Sequence, residues 1–545
     1  MGPHRILLDC GLTDLTSLIK AAGGKAPADV VLCSHAHPDH ARGLLALHRA
    51  FPQLPIYASE VTTQLMWMNW LEEEKPIQQF CHALPWRSPL EFATGLSATL
   101  YPAGHLPGAA AILLTYTSPQ RPYTLFYTGD FLLSNSRLVE GLPLEELRGL
   151  KPNVLIVEAS YGTARHPHRR QQENSLAERI LAAIANQHSV LFPAPTIGLG
   201  QELLMLLRSH HQFTGRNLDI WVDGSVATGC DAYLDLLDHF PSSVQNFARH
   251  QPLFWDDRVR PRVRRLPEET GLRRIALSGQ TPCILIADET AAFQQYISLS
   301  NLPWLMLLPQ QPGRVGAIEP AIYQAIRSSS PLRSALKAGR LTVDTYLLSE
   351  HCDGPGTTQL IHNLRPQHVV LFHGPDAYLA DLAGLEELQN RYQLHIASVG
   401  TLVELPIGET FAQPAPPESR YEGEVVELQD SVMITLPDGL LSDPRWQTFS
   451  ETGVVEARWQ GEELVIKGIT PRELFSRSDE LTLAENPECC GACLHFRGQR
   501  CWNQDSPLFG FRVTPDGYCP AFEAIALQQE PPLLDEEEGD DEVLR

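Results

Sequence analysis

The sequence predicts an α/β protein built around buried sheets, and two observations carry that prediction. Through the first ~160 residues, short apolar runs alternate with turn residues, the pattern of strands covered on both faces. Ile6–Leu8, Val30–Leu32, Tyr123–Tyr127 and Val154–Val157 are the clearest of these runs. Each run also stops at residues able to do chemistry: Asp9, Ser34-His35, Thr128-Gly-Asp130 and Glu158. Loops leaving a sheet are the part of a layered fold free to diverge, so functional side chains collect there.

The pattern continues along the chain. Leu176, Ile180, Leu181 and Ile184 recur at helical spacing and predict a helix over 171–187. Ser189–Ala194 then reads as a strand, and Gly198 to Gly200 as a tight turn into a helix from Gln201. A second α/β region therefore fills 164–342. Near its middle, Arg258-Val-Arg-Pro-Arg-Val-Arg-Arg265 is the most basic stretch of the protein. Its alternation would place arginines on one side of an extended segment as a backbone-binding patch, although a charge run is more often a solvated face. Strands return at Val343–Leu348 and Val369–Phe372, closed by His351 and His373. Residues 412–419 read as a linker, 420–480 as a small β-rich region with Val454–Trp459 and Leu464–Lys467 as strands, and 486–524 as a cysteine-rich module. The tail at 529–545 carries Asp535-Glu-Glu-Glu-Gly-Asp-Asp-Glu542 and is expected to be disordered.

Bulk properties exclude several classes. A chain of 545 residues exceeds one core and implies about two to four domains. No run approaches the ~20 apolar residues that span a bilayer, and no signal-peptide pattern opens the chain, so no membrane is expected and the cytoplasm is the expected location. A net charge of −23 argues against a general polyanion binder, leaving nucleic-acid contact to a local patch and to metals. The 11 cysteines form two populations. Cys10, Cys33, Cys81, Cys230, Cys283 and Cys352 are scattered and read as small buried hydrophobes. Cys489, Cys490, Cys493, Cys501 and Cys519 crowd together, a density that suggests a metal or cluster site.

The strongest chemical signal is His35-Ala-His37-Pro-Asp39-His40, placed after a strand and before the apolar positions Leu44, Leu45 and Leu47. Imidazole and carboxylate donors suit zinc, and a catalytic site keeps one position for water. His35 and His37 can face one ion while Asp39 and His40, turning into the helix, face a second. A solvated histidine-rich turn does not account for four ligand residues at this spacing.

This motif resembles the signature of the metallo-β-lactamase superfamily, whose fold is a four-layered αββα domain. Leu8-Asp9-Cys-Gly11, Gly104-His105-Leu-Pro-Gly108 and Tyr127-Thr-Gly129-Asp130 follow in the family's order. The resemblance implies that His35, His37 and His105 bind one zinc, that Asp39, His40 and a later histidine bind another, and that Asp130 bridges them. Asp9 then supports the site from behind. Val157-Glu158-Ala-Ser-Tyr-Gly162 with His166 and Arg169, Ser349-Glu-His351-Cys-Asp353, and Leu371-Phe-His373-Gly-Pro375 resemble the motifs of the β-CASP group, nucleases with a large α/β domain inserted into the first. Val190–Ala194, Gly198-x-Gly200-Gln-Glu202 and Val222–Ala227 resemble segments of that insert. The likeness covers about 1–410 and divides the chain as 1–163, insert 164–342 and return segment 343–411. It implies that His373 completes the second zinc and that His351, oriented by Glu158, protonates the leaving group. Asp39, a ligand, joins them in the catalytic set. A histidine at the third motif is the form of RNA-acting members, which points to ribonuclease action in RNA processing, with a metal-bridged hydroxide attacking the phosphodiester.

Three features depart from that pattern or stand beside it. Leu199 stands where relatives commonly carry arginine, and Asp288-Glu289 where they have a Ser-Gly-Met loop, so the substrate groove is expected to be altered. Separately, Cys490, Cys493, Cys501 and Cys519, interleaved with Phe496, Trp502, Phe509, Phe511, Tyr518 and Phe522, resemble high-potential iron–sulfur proteins. Four thiolates suit either a 4Fe–4S cluster or a structural zinc. The expected partner is single-stranded RNA, and a homo-oligomer is compatible with the sequence. The alternatives are a di-zinc hydrolase of a small ester, thioester or lactone, and a non-cleaving RNA-binding subunit.

Overall fold

Along each short strand, side chains alternate between two apolar layers, and that alternation stacks two sheets face to face. The first sheet joins β1 (Ile6–Leu8), β2 (Val30–Leu32), β3 (Ile56–Ser59) and β4 (Cys81–Leu84) in chain order, all parallel. The second contains β5 (Leu90–Ala93), β6 (Leu96–Pro102), β7 (Ala110–Thr117), β8 (Pro122–Tyr127), β9 (Val154–Glu158), β16 (His368–Phe372) and β17 (Gln393–Ile396). Its order is β17-β16-β9-β8-β7-β6-β5, antiparallel from β5 to β8 and parallel from β8 to β17. Leu32, Leu84, Leu100, Ile112, Leu114 and Tyr127 fill the layer between the sheets. Their neighbours Val31, Val157 and Leu371 turn outward, onto Leu44 and Leu47 of the helix Leu44–Ala50 and Leu360 and Leu364 of the helix Gly354–Leu364. The result is the expected four-layered αββα arrangement.

A third sheet is formed by the chain between β9 and β16. It contains β10 (Ser189–Ala194), β11 (Asp219–Val222), β12 (Arg262–Arg265), β13 (Ile284–Asp288), β14 (Trp304–Pro309) and β15 (Leu341–Tyr346). Its order is β12-β11-β13-β10-β14-β15, and every pair is parallel. All of β10 is buried, as a central strand covered on both faces must be. The order of strands reverses at β10, and such reversals open a crevice at the carboxyl ends of the strands. The turn leaving β10 enters the helix Leu199–Ser209 at that place.

The structure is a computed structural model and describes residues 1–73, 77–310, 329–400, 402–405 and 407, and farther on 424–428, 431–435, 455–460, 463–468, 493–497, 500–504, 506, 509–510 and 513. Two compact units divide the chain, Met1–Ala415 and Pro416–Arg545. In the second, Glu424–Leu428 pairs antiparallel with Ser431–Thr435, Val455–Gln460 with Glu463–Gly468, and Phe496–Arg497 with Arg500–Cys501. Cys493 and Cys501 are buried there. Cys490 and Cys519, the linker 412–419 and the acidic tail 529–545 lie outside the described residues.

Element boundaries differ from the sequence expectation by about two residues, as end fraying makes common. The helix expected over 171–187 spans Arg169–Ala185, and the strand expected at Val343–Leu348 spans Leu341–Tyr346. The six scattered cysteines Cys10, Cys33, Cys81, Cys230, Cys283 and Cys352 are all buried, as expected of small apolar residues. The arginine run differs in substance. Arg262 and Arg264 both pair with Asp219, at 2.6 and 2.7 Å, and Arg264 also pairs with Asp257 at 3.1 Å. Arg265 pairs with Asp231, and the guanidinium groups of Arg264 and Arg265 lie 4.7 and 4.5 Å over the rings of Trp221 and Trp255. These three arginines fasten the edge strand β12, while Arg258 and Arg260 of the same run stand exposed.

Candidate metal centre

The site lies at the strand ends of the two stacked sheets. After β2 the chain runs as Ser34-His35-Ala-His37 into the short helix Pro38–Ala41, where proline at the first turn fits because that nitrogen has no helical partner. Asp9 follows β1 with a left-handed φ of 60°, an uncommon conformation for a non-glycine residue and one that aims its carboxylate inward. Gly11 is required two residues later, because a Cβ there would lie 1.8 Å from the Asp39 carbonyl oxygen. Asp130 follows β8, Glu158 ends β9, and His373 follows β16, again with a left-handed φ, of 55°.

Around this frame the structure brings together all seven residues expected as ligands. His35, His37, His105 and Asp130 form one group, and Asp39, His40, Asp130 and His373 another, each with donor atoms within 4.8 Å of one another. Asp130 is common to both. A third group of the same compactness joins Asp130 and His373 to Glu158 and His351.

The outward nitrogen of every histidine in the first two groups is engaged, which fixes the nitrogen that faces inward. His35 Nδ1 lies 3.0 Å from Ser34 Oγ, and that hydroxyl donates to Asp9 at 2.7 Å. His40 Nδ1 donates to Asp9 Oδ2 at 2.7 Å. His105 Nδ1 donates to the Glu350 carbonyl at 2.8 Å, and His37 Nε2 to the Ile197 carbonyl at 3.3 Å. His373 Nδ1 lies 2.9 Å from Ser160 Oγ, which donates to Glu158. Lone pairs therefore converge: His37 Nδ1 and His105 Nε2 face each other at 3.0 Å. His35 Nε2, His40 Nε2 and Asp130 Oδ1 are buried without any hydrogen-bond partner. Buried polar atoms are rarely left in that condition, and opposed lone pairs repel. A cation in each group would satisfy all of them, so the residues fit bound metal.

In the first group the electrostatics agree. Burial, reinforced by neighbouring imidazoles, holds His35 and His105 well below the ordinary histidine pKa, and burial lowers His37 as well. These rings are neutral, the form that binds metal. Burial alone would raise the Asp130 carboxyl, but His40, His35 and His351 hold it well below the usual carboxylate range. His40 is pushed the other way, since Asp130 and Asp9 outweigh its burial.

His351 stands beside the ligands, with Nδ1 3.1 Å from both oxygens of Glu158 and 3.9 Å from Asp130. Glu158 is in turn held by the backbone N–H of Phe131 at 2.8 Å. Burial opposes protonation of His351, but Glu158 and Asp130 prevail and raise its pKa to about 10. At that value the ring is protonated at neutral pH.

Several supporting residues stand outside the predicted ligand and catalytic sets. Tyr127 donates its hydroxyl to Asp9 at 2.5 Å, and Asn69 donates to the carbonyl of Ala36, between His35 and His37, at 2.8 Å. Ser34 and Ser160 relay Asp9 and Glu158 to His35 and His373. The altered groove residues are also placed. Leu199 is buried at the start of its helix, and Asp288 accepts hydrogen bonds from Ser225 and Thr290 at the end of β13.

Asp9 accepts from Ser34 N and Oγ, Tyr127 and His40, all of them donors. Asparagine there would turn an amide N–H₂ against some of these donors. Asp9→Asn is expected to weaken metal binding by ~10–100-fold, the usual loss when a ligand's supporting partner is removed. Chelator competition on the purified variant measures it, and an unchanged affinity would deny Asp9 that role.

Comparison with known proteins follows the same lines. The family description "Beta-lactamase superfamily domain" matches residues 4–190, and "Zn-dependent metallo-hydrolase RNA specificity domain" matches 340–392. The chain is 48% identical to the uncharacterized protein sll0514 of Synechocystis sp., over 96% of this chain and 94% of that protein. It is 24% identical to the RNase J-like protein of Methanocaldococcus jannaschii, over 68% of this chain and 87% of that one. Cleavage and polyadenylation specificity factor 73 of Drosophila melanogaster is also 24% identical, over 68% of this chain and 56% of its own length. With the stacked sheets, the grouped histidines and these matches in agreement, the chain belongs to the metallo-β-lactamase superfamily, in its β-CASP group of RNA-processing metallohydrolases.

Proposed function

We propose that this protein is a zinc-dependent ribonuclease that hydrolyses phosphodiester bonds of single-stranded RNA. The observation that carries the proposal is the inward turn of five imidazoles around a shared carboxylate, Asp130, beside a histidine held by Glu158. His35, His37 and His105 with Asp130 would hold one zinc, and Asp39, His40 and His373 with Asp130 the other. Bound zinc would supply charge to the phosphoryl oxygens and make a neighbouring water acidic enough to attack near neutral pH.

The chain's own residues do the rest. Glu158 fixes His351 through Nδ1, which leaves Nε2 to give a proton to the departing 3′-oxygen. Ser160, donating to Glu158 and accepting from His373, ties the acid and the ligand to one carboxylate. Asp39 is the most exposed of these carboxylates and borders the open side of the site. The six-stranded sheet is read as the inserted β-CASP domain over 164–342, between metal-bearing segments 1–163 and 343–411. The run at 262–265 is neutralised by aspartates, so phosphate contact is assigned chiefly to the neighbourhood of the metals. The cysteine module is proposed, on its spacing, as a separate 4Fe–4S or zinc site, and an absorbance spectrum near about 400 nm on anaerobically prepared protein distinguishes the two. The proposed compartment is the cytoplasm, where the six scattered thiols would stay reduced.

The test is purified protein with zinc on 5′-labelled single-stranded RNA, beside a His37→Ala, Asp39→Ala double variant. Cleavage by the wild type and none by the variant is expected. Equally negligible cleavage by both, with a thioester panel turned over by the wild type alone, would favour the small-ester reading. RNA retained by both and cut by neither would favour a binding subunit.

A further inference from the structure

We infer that the six-stranded lobe sets the metal affinity of the first ligand group, through the backbone carbonyl of Ile197. The inference rests on the metal-site reading above and adds to it a coupling between two parts of the fold. Three of the five inward-turned histidines are held by Ser34, Asp9 and Ser160 of the stacked-sheet part, and His105 by the backbone of Glu350, between β15 and the helix Gly354–Leu364. His37 alone among these five is held from the turn after β10. Its Nε2 donates to Ile197, in the turn that leaves the central strand β10. A carbonyl can only accept, so this contact places the proton on Nε2 and leaves the Nδ1 lone pair facing His105. If the turn withdraws, His37 loses the one partner that selects this tautomer and ring orientation.

The turn is built for a fixed position. Gly198 adopts φ 100° and ψ −105°, a region essentially reserved for glycine, and a Cβ there would lie 3.1 Å from His37 Nε2 and 3.4 Å from Glu350 Oε1. Backbone therefore passes against the imidazole, and even a Cβ there would press on the ring. Inside the lobe, Gln201 donates to the carbonyls of Thr196 and Val226, at 3.0 and 3.1 Å. On the other side, Glu202 accepts from Ser136 Oγ and from the backbone N–H groups of Arg137 and Leu138 in the stacked-sheet part. The first turn of the helix Leu199–Ser209 thus joins the lobe, the 136–138 loop and a candidate ligand. A shift of the lobe moves Ile197, and Ile197 moves His37.

Coupling of this kind is reciprocal: if the turn strengthens metal binding, metal binding must hold the turn. The experiment uses the full chain, stripped with chelator and reloaded with zinc. In the wild type, zinc is expected to slow hydrogen exchange of the amides of Gln201 and Glu202, both bonded to the Gly198 carbonyl. In His37→Ala that protection is expected to disappear, although zinc still binds the second group. Gly198→Ala, read by chelator competition, is expected to weaken one of the two sites by ~10–100-fold and to leave the other within ~3-fold. Exchange in the wild-type turn that is indifferent to zinc overturns the inference, whether or not Gly198→Ala folds. If the His37→Ala variant binds as much zinc as the wild type, with equal affinity, the metal-site reading itself is what fails.

Discussion

His351→Ala is expected to lower kcat on RNA by ~10²–10⁴-fold, the range for loss of a positioned general acid, while the zinc content stays at the wild-type level. The separation follows from the hydrogen bonds. The rings assigned as ligands are oriented by Ser34, Asp9, Ile197, Glu350 and Ser160, and none of them depends on the His351 side chain. His351 instead leans on Glu158, which with Asp130 holds it protonated. A substrate with sulfur in place of the departing 3′-oxygen needs no proton at that atom. The deficit of the variant is expected to shrink on it by at least an order of magnitude. An equal deficit on both substrates would mean that His351 positions something else.

Asp130→Ala is expected to have the larger effect on the metals. Asp130 Oδ2 lies 3.5 Å from His35 Nε2, 3.4 Å from His40 Nε2 and 3.7 Å from His105 Nε2, and Oδ1 lies 3.6 Å from His373 Nε2. One carboxylate thus serves both groups, and among the described residues it is the only one in the first. Its removal takes a ligand and a negative charge from each ion at once. The loss of affinity should exceed the ~10–100-fold expected for Asp9→Asn, and both ions should be absent after gel filtration. Cleavage should fall to the level of the His37→Ala, Asp39→Ala double variant. Retention of one ion at full affinity would show that Asp130 does not bridge. Elemental analysis per chain decides between these results.

Much of the site was legible in the sequence because a metal centre demands donor types that seldom have another reason to cluster. His35, His37, Asp39 and His40 sit within one strand-end turn, so their grouping needed no knowledge of the tertiary fold. Asp130, His351 and His373 required the family's order of motifs, since each is common enough alone. Ile197 was out of reach for a physical reason: it contributes a carbonyl, which every residue has, and only folding determines which one meets His37. Asn69 and Tyr127 were hidden similarly, since an amide or a phenol in an apolar stretch has many ordinary uses. Part of the arginine run, 262–265, differs from its sequence pattern. Its charge was visible, but its partners Asp219 and Asp231 lie on a neighbouring strand and a helix well separated in sequence. Sheet order shows the same limit, because the placement of β14 beside β10 and of β15 beside β14 is decided by pairing rather than by any local pattern.

The central claim is that two metal ions share Asp130, and anomalous scattering at the zinc edge from crystals of zinc-loaded protein tests it most directly. Two peaks are predicted beside that carboxylate, one among His35, His37 and His105 and one among Asp39, His40 and His373. A single peak, or none, at saturating zinc in crystals with these histidines ordered would contradict it.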